Sequence, residues 1–117
     1  MENIMYEKWI EALGKYEKHK GTFVPISWVN GGEGAALRKE NCACALGVYL
    51  IEIKGIPATE IAETGYNNGK YWELIDAELG NDFAFEIYHI NDGSGRDYQQ
   101  YKSDNFDFVI EELKKHV

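Results

Sequence analysis

The sequence predicts one α+β domain over residues 1–117 that is mainly α, a compact bundle of about five helices with a small β-hairpin. Its 117 residues are 44% hydrophobic and 14% aromatic, which is enough for one packed core. Apolar residues recur at three- and four-residue steps through much of the chain, which is the period of an amphipathic helix. One β-branched and aromatic stretch, residues 22–29, interrupts this pattern and favours extended backbone.

The first predicted helix covers residues 3–14, where the apolar residues follow helical spacing until Gly14 interrupts them. Residues 22–29 contain a proline and are predicted to form an edge strand. Residues 35–42 supply the second strand of the hairpin, across a glycine-rich turn.

A buried central helix is predicted between Asn41 and Ile53, with the Asn41 side chain as its N-cap. Gly55 and Pro57 end this helix, because both residue types break helices. Gly47 has no side chain, so we expect it to let the central helix pack closely against the first one.

The second half of the chain is predicted to contain three further helical segments, residues 58–64, 70–79 and 106–113. The stretch 83–90 fits a helix through one set of apolar residues and a strand through another, so both alternatives remain open. Asp82 and Asp104 are the expected N-caps of the segments that follow them.

Acidic residues are concentrated in the second half of the chain. The net charge is −8, of which residues 1–72 contribute −1 and residues 73–117 contribute −7. Phosphates of DNA and RNA are bound by clustered Lys and Arg, so the sequence predicts no direct nucleic-acid binding. The acidic half favours a basic protein partner, although a merely solvated acidic surface gives the same composition.

Cys42 and Cys44 are the only cysteines, and one residue separates them. On a helix their side chains would point about 200° apart, and the chain lacks the paired spacing of a zinc site. A cysteine at the start of a buried helix can be a nucleophile, for which His89 would be the base. Alternatively, both cysteines are small core residues. We predict a structural role for them, with no metal and no cofactor.

The predicted binding residues are aromatic, charged or amide side chains in segments interpreted as loops or in the motifs described below. They are Trp28, Arg38, His89, Asn91, Asp92, Asp97, Tyr98 and Tyr101. Tyr and Trp with an acidic surround are typical of a protein-binding surface, and they also line small-ligand pockets. We further expect Arg38 to pair with Asp92.

No apolar run approaches the length of a membrane span, and the amphipathic start does not have the form of a cleavable leader. We therefore expect a cytoplasmic protein with no membrane segment, whose thiols stay reduced. A homo-oligomer remains open as an alternative to a monomer.

Four short motifs resemble those of a family of small, mostly uncharacterised phage and prophage proteins. That family has W-x-x-A-L-x-x-G-x-Y, A-L-R, C-C-L-G-V-L and L-N-D motifs, followed by an F-x-x-I-A helix. The matching residues here are Trp9, Ala12, Leu13, Tyr16, Ala36, Leu37, Arg38, Cys44, Leu46, Gly47, Val48, Asn91, Asp92, Phe106, Val109 and Ile110. Ala45 replaces the second cysteine of the family motif, which argues against a paired-thiol or metal role.

The resemblance implies a small acidic phage-accessory protein that is non-catalytic and inhibits or sequesters a host protein. A second hypothesis is a sponge or sensor for a nucleotide-like signal, with a pocket near Trp28, Arg38 and His89. A third is a cysteine hydrolase, because residues 41–65 are similar to the nucleophile region of NlpC-type cysteine peptidases. We favour the first hypothesis, in which affinity falls with salt and with neutralisation of Asp97, Asp104 and Asp107.

Overall fold

A computed structural model describes residues 2–18, 23, 42–64, 69–93, 98–101, 103 and 105–117. The described residues form six α-helices: α1 (Glu2–Leu13), α2 (Ala45–Val48), α3 (Ala58–Thr64), α4 (Gly69–Leu79), α5 (Asn81–Asp92) and α6 (Asp107–Lys114). A π-helical segment, Tyr49–Ile53, continues α2, and a short 3-10 turn covers Gln99–Tyr101. The expectation of a mainly α domain is therefore confirmed.

Helix α1 packs against α2, the π-helical segment and α6 through one apolar stripe. Trp9 and Leu13 are buried on this stripe. The Trp9 indole Nε1–H also donates a 3.0 Å hydrogen bond to the carbonyl oxygen of Ala45, so a polar contact as well as burial joins α1 to α2. Leu50 of the π-helical segment and Val109 of α6 are buried in the same core.

The β-structure of the described residues is a parallel pair, β1 (Glu17–Lys18) and β2 (Cys42–Ala43). Glu17 lies opposite Cys42, and Lys18 lies opposite Ala43. The predicted hairpin falls almost entirely on residues outside the described part. The end of its second strand is extended as predicted, but the described partner of that end is the segment just after α1 rather than residues 22–29.

The central helix begins later than the sequence predicted. Cys42 and Ala43 are extended because they pair with β1, so the first helical residue is Ala45 and the N-cap is Cys44. The Cys44 sulfur accepts a hydrogen bond from the backbone N–H of Gly47 at 3.3 Å, which satisfies one of the free donors of the first turn. Asn41, the predicted cap, lies outside the described residues.

Gly47 makes the close approach that its lack of a side chain allows, but to a different segment than expected. A Cβ atom there would clash with the carbonyl oxygen of Phe23 and lie 2.9 Å from its carbonyl carbon. The same Phe23 carbonyl accepts a 2.9 Å hydrogen bond from the backbone N–H of Cys44. The central helix packs against α1 as expected, but the atoms nearest to a Cβ at Gly47 belong to Phe23 and Ala43 rather than to α1.

Residues 83–90, which were open between helix and strand, lie within helix α5. Gly80 separates α4 from α5 with a φ of +90°, a conformation that favours glycine, and it is the N-cap residue of α5. Asp82 is therefore in the first turn rather than at the predicted cap position. Its carboxylate still complements the positive end of the helix.

Helix α6 packs between α1 and α5. Asp104, its predicted cap, lies outside the described residues. Instead, the side-chain Oδ1 of Asn105 accepts a 3.0 Å hydrogen bond from the backbone N–H of Asp107. Lys114 lies in the last turn, where a positive charge complements the negative end of the helix dipole.

Candidate functional site

Helix α5 has two chemically distinct faces. Its inward face is buried and consists of Ala84, Ile87, Ile90 and Asn91. Its opposite face, which we call the outer face of α5, consists of Asp82, Phe85, Glu86 and His89. These four residues are neighbours at three- and four-residue spacing. The outer face combines an exposed aromatic ring with carboxylates, so it is the candidate functional site.

Phe85 is the centre of the outer face. It is 55% exposed and is one of three large apolar residues exposed in the described part of the chain. Its ring lies 4.2 Å from the ring of His89, between centroids, at an interplanar angle of 64°. This contact orients a side chain that water would otherwise surround, which is typical of a residue held for contact rather than for core packing.

Three of the predicted binding residues lie together beside Phe85. The ring of Tyr98 stacks on that of His89 with centroids 4.9 Å apart and planes 20° apart. Tyr101, in the 3-10 turn, lies 6.0 Å from Tyr98 and 5.5 Å from Phe108 of α6. The turn therefore extends the aromatic surface from α5 to α6. Whether these residues bind a ligand remains a prediction.

On its other side His89 contacts Tyr88, whose ring centroid is 5.3 Å away. Tyr88 in turn contacts Trp72 of α4, and Trp72 contacts Phe23. This continuous series of ring contacts connects the outer face of α5 to the packed core. The exposed Phe85 ring is therefore supported by a rigid set of side chains.

The Nδ1 atom of His89 is buried and has no hydrogen-bond partner among the described residues. The His89 ring instead makes its described contacts with the neighbouring rings of Phe85, Tyr88 and Tyr98. His89 therefore contributes an aromatic surface to the site.

The electrostatic character of the outer face is negative. Helix α5 contains no Lys and no Arg, while Asp82 and Glu86 lie one helical turn apart. No described cation makes a salt bridge to either carboxylate. Lys115 lies in the same region: its hydrogen bond to Glu112 is the main cause of its raised pKa, and the charges of Tyr101 and Glu86 contribute less.

Asn91 and Asp92, also predicted to bind a ligand, have structural contacts. Asn91 is 1% exposed, and its Oδ1 accepts a 2.9 Å hydrogen bond from the backbone N–H of Ala45. Its Nδ2 donates to Asp92 Oδ1 at 2.9 Å. Asn91 therefore joins α5 to the start of α2 from inside the core, and its side chain does not reach the outer face.

Cys44 lies in the same buried junction. It is 3% exposed, and desolvation raises the pKa of its thiol to about 12, while its hydrogen bond from Gly47 acts in the opposite direction. The thiol is therefore protonated near neutral pH, which is the opposite of what a cysteine nucleophile requires. The structure thus agrees with a packing and capping role for Cys44. Cys42 is described only by its extended backbone.

Three predicted binding residues, Trp28, Arg38 and Asp97, lie outside the described residues. The expected pair of Arg38 with Asp92 therefore lies outside them too. The ligand pocket that the sequence predicted between Trp28, Arg38 and His89 is described only at His89.

Two adjoining shallow grooves, of about 200 and 300 Å³, lie between α1 and the π-helical segment. Both are lined by Lys8, Glu52 and Ile53, and the second also by the exposed Ile4. The Tyr16 hydroxyl donates a 2.9 Å hydrogen bond to Glu52 at this side of the molecule. Positive and negative side chains are mixed here, so the grooves lack the single-signed charge of the outer face of α5.

Within the described ranges, no three side chains of His, Cys, Asp or Glu are grouped as a metal ion would require. The helices described also include none with the length and apolar composition needed to cross a membrane. Comparison with protein-family models finds no match, and searches of curated proteins and of solved structures likewise find none.

Sequence reasoning missed Phe85, Glu86 and the role of Asp82. The signal was present, because a helix that buries Ile87 and Ile90 must turn Phe85 to its opposite side. This signal could not be used from the sequence alone, because residues 83–90 fit both a helix and a strand.

Proposed function

We propose that this chain is a small, non-catalytic binding protein of phage-accessory type. Its partner is a basic protein of the host cytoplasm, which it inhibits or sequesters by docking on the outer face of α5. The observation that carries the proposal is an exposed, oriented aromatic residue, Phe85, beside two carboxylates on a helix that contains no Lys or Arg.

Two physical arguments support this choice of partner. Protein interfaces are enriched in aromatic residues, and a few such residues carry most of the binding energy. Like charges across an interface are unfavourable and opposite charges accelerate association, so a negative face favours a positive partner. The net charge of −7 over residues 73–117 adds a long-range field of the same sign.

The cysteine hydrolase hypothesis has less support than the binding hypothesis. The pKa of the Cys44 thiol is raised to about 12 by burial, so an activated thiolate is not available at that position. Of the three residues predicted to line the pocket of a signal-molecule sponge, the structure describes His89. The ring of His89 contacts other rings rather than the walls of an enclosed cavity.

The proposal can be tested by affinity capture from the native cells with matched variants. The test variant is Asp82→Asn with Glu86→Gln. The control is Glu7→Gln with Glu11→Gln, which removes the same two charges at the same four-residue spacing from exposed positions of α1. Captured proteins are quantified by mass spectrometry at low and at high salt.

We expect at least one basic protein to be captured by the wild-type and control chains and to be reduced about tenfold with the test variant. High salt should reduce its capture by all three chains, because the attraction between exposed charges is screened. Equal capture of every protein by the test and control variants would contradict the proposal.

A further inference from the structure

The two common cationic side chains differ in the kind of surface that suits them. Lysine carries a compact, strongly hydrated charge, whereas the arginine guanidinium is planar, weakly hydrated and able to stack on an aromatic ring. A ring whose surface is open and whose orientation is held therefore favours arginine. Phe85 has both properties, with 55% of its surface exposed and a contact of 4.2 Å to His89.

The rings around His89 form a shelf rather than a cage. Tyr98 stacks on His89, and Phe85 and Tyr88 contact it edge-to-face, at centroid distances between 4.2 and 5.3 Å, so each of the three rings lies directly against His89. An aromatic cage for a methylated ammonium group requires rings that enclose an empty space. A flat group placed on the outside of the shelf fits this arrangement better than a spherical one.

Two carboxylates lie within one helical turn of Phe85 in the sequence of α5. Asp82 is three residues before Phe85 and Glu86 is adjacent to it, while Asp82 and Glu86 are themselves one turn apart. Guanidinium N–H groups lie in a fixed plane and bind carboxylates in a bidentate manner. Because Asp82 and Glu86 make no salt bridge to a described cation, both can accept such hydrogen bonds.

We infer that the outer face of α5 recognises an arginine side chain of its partner, with the guanidinium stacked on Phe85 and hydrogen-bonded to Asp82 or Glu86. This inference rests on the proposed function and specifies the side chain by which the partner is bound. The aromatic shelf supplies selectivity for arginine over lysine, and the carboxylates supply attraction for either cation.

Two synthetic peptides test the inference without knowledge of the partner. They are acetylated and amidated octapeptides of alternating Gly and Arg or of alternating Gly and Lys, which carry equal charge. Binding to the full ¹⁵N-labelled chain is measured by NMR titration at low salt, where the amide shifts also locate the site. The variants are Phe85→Ala and Phe85→Leu, with Ile4→Ala as control because Ile4 is exposed to the same extent, 56%.

We expect the arginine peptide to shift amides of α5 and to bind about five times more tightly than the lysine peptide, a ratio that a cation–π contact at an exposed site produces. Both substitutions of Phe85 should abolish this preference and leave the affinity for the lysine peptide unchanged. The control variant should keep the preference. Phe85→Leu retains an apolar side chain, so its effect separates stacking from simple burial.

Equal affinity for both peptides, or a preference for arginine that survives in Phe85→Ala, would overturn the inference. The proposed function would still stand in that case if Asp82→Asn with Glu86→Gln weakened both peptides at the α5 face. No shift of α5 amides with either peptide would reject the inference and the charge-based part of the proposed function together.

Discussion

Each face of α5 contains one residue that departs from the usual order of apolar residues inside and polar residues outside. On the inward face Asn91, a polar residue, is 1% exposed, and on the outer face Phe85, an aromatic one, is 55% exposed. The burial of Asn91 is explained by its hydrogen bonds, because its Oδ1 accepts from the backbone N–H of Ala45 and its Nδ2 donates to Asp92. Among the described residues, the one ring that contacts Phe85 is that of His89.

This difference separates a residue whose unusual position is explained by the fold from one whose unusual position the fold does not explain. A buried polar group must find hydrogen-bond partners within the fold, so its position is accounted for by the stability of the fold. The fold does not require an exposed aromatic residue in this way, and protein interfaces are enriched in aromatic residues, so Phe85 is a candidate for a contact outside the chain. The buried junction, which consists of Cys44, Ala45, Gly47 and Asn91, illustrates the first case. The outer face of α5 illustrates the second.

The largest expected effect concerns the thiol in the buried junction. In a Cys42→Ser background, we expect iodoacetamide to alkylate Cys44 in the folded chain about a thousandfold more slowly than in the urea-unfolded chain, judged from thiolate fractions. The reason is that burial raises the pKa of this thiol from its ordinary value of 9.0 to about 12. Labelling is followed by intact-mass spectrometry at pH 7.5.

Rapid alkylation of the folded chain would show that Cys44 is accessible, and it would return the hydrolase hypothesis to consideration. The reverse single-cysteine chain, Cys44→Ser, reports the reactivity of Cys42 under the same conditions. For each chain the folded-state rate is measured below the urea concentration at which unfolding begins, and it is compared with the rate in fully unfolding urea.

Gly47→Ala should cost about 3 kcal/mol of unfolding free energy or more, because the added Cβ meets backbone rather than a flexible side chain. Displacing Phe23 also weakens its hydrogen bond with the N–H of Cys44. The measurement is the midpoint of urea unfolding followed by circular dichroism. The control is Gly69→Ala, where nothing lies within 4 Å of the new atom and the change should be neutral or slightly stabilising.

Asn91→Ala should destabilise the chain by about 2 kcal/mol, since it leaves the backbone N–H of Ala45 buried without an acceptor. Asn81→Ala is the matched control on the same helix. Asn81 is exposed, and its amide donates an exposed hydrogen bond to the carboxylate of Asp76. Its effect should be within about 0.5 kcal/mol. Equal losses for the two variants would remove the distinction between the faces of α5.

Phe85→Ala tests the other half of the comparison and should change the unfolding free energy by less than about 1 kcal/mol, because over half of the side chain already contacts water. A loss of 3 kcal/mol or more, typical of a core aromatic, would mean that Phe85 supports the fold. The measurement is again urea unfolding, compared directly with Gly47→Ala.

Glu78 of α4 gives the smallest expected effect. Its hydrogen bonds from Lys54 and, secondarily, from Tyr49 lower the pKa of its carboxyl group below the ordinary value of 4.5. The ionised form therefore stabilises the folded state above pH 4.5, and this contribution is lost as pH falls through the lowered pKa. Because the pair is partly exposed, Glu78→Gln should cost only about 0.5 kcal/mol at pH 7.

The difference between wild type and Glu78→Gln should shrink towards zero in unfolding experiments at progressively lower pH. A difference that persists well below the lowered pKa would mean that neutral hydrogen bonding or packing, rather than the charge, is responsible. Glu73→Gln, an exposed position on the same helix, controls for the loss of one negative charge.

Helix positions were predictable where one amphipathic face dominates. Helices α1, α3, α4 and α6 were expected from spacing alone, and each lies within two residues of its expected position. The start of α2 could not be predicted, because pairing between residues distant in sequence, Glu17 with Cys42, keeps the backbone extended there. Local propensity contains no information on such a pairing.

For the candidate site, spacing alone identified aromatic and acidic residues but not their arrangement. His89, Tyr98 and Tyr101 were predicted separately as binding residues and the structure brings their rings together, whereas Asn91, predicted from its motif, is buried. Polarity in a sequence indicates that a side chain needs hydrogen-bond partners. It does not tell whether those partners are water, a ligand or another helix.

The sequence by itself determined the helical periodicity, the size of the core and the excess of negative charge in the second half, because these depend on local spacing and composition. Only the tertiary structure decided which side of α5 faces the core. Residues 83–90 satisfy both a helical and an extended period, and the burial of Ile87 together with the hydrogen bond between Asn91 and Ala45 accompanies the helical choice. Burial of that side leaves Phe85 and its two carboxylates on the surface.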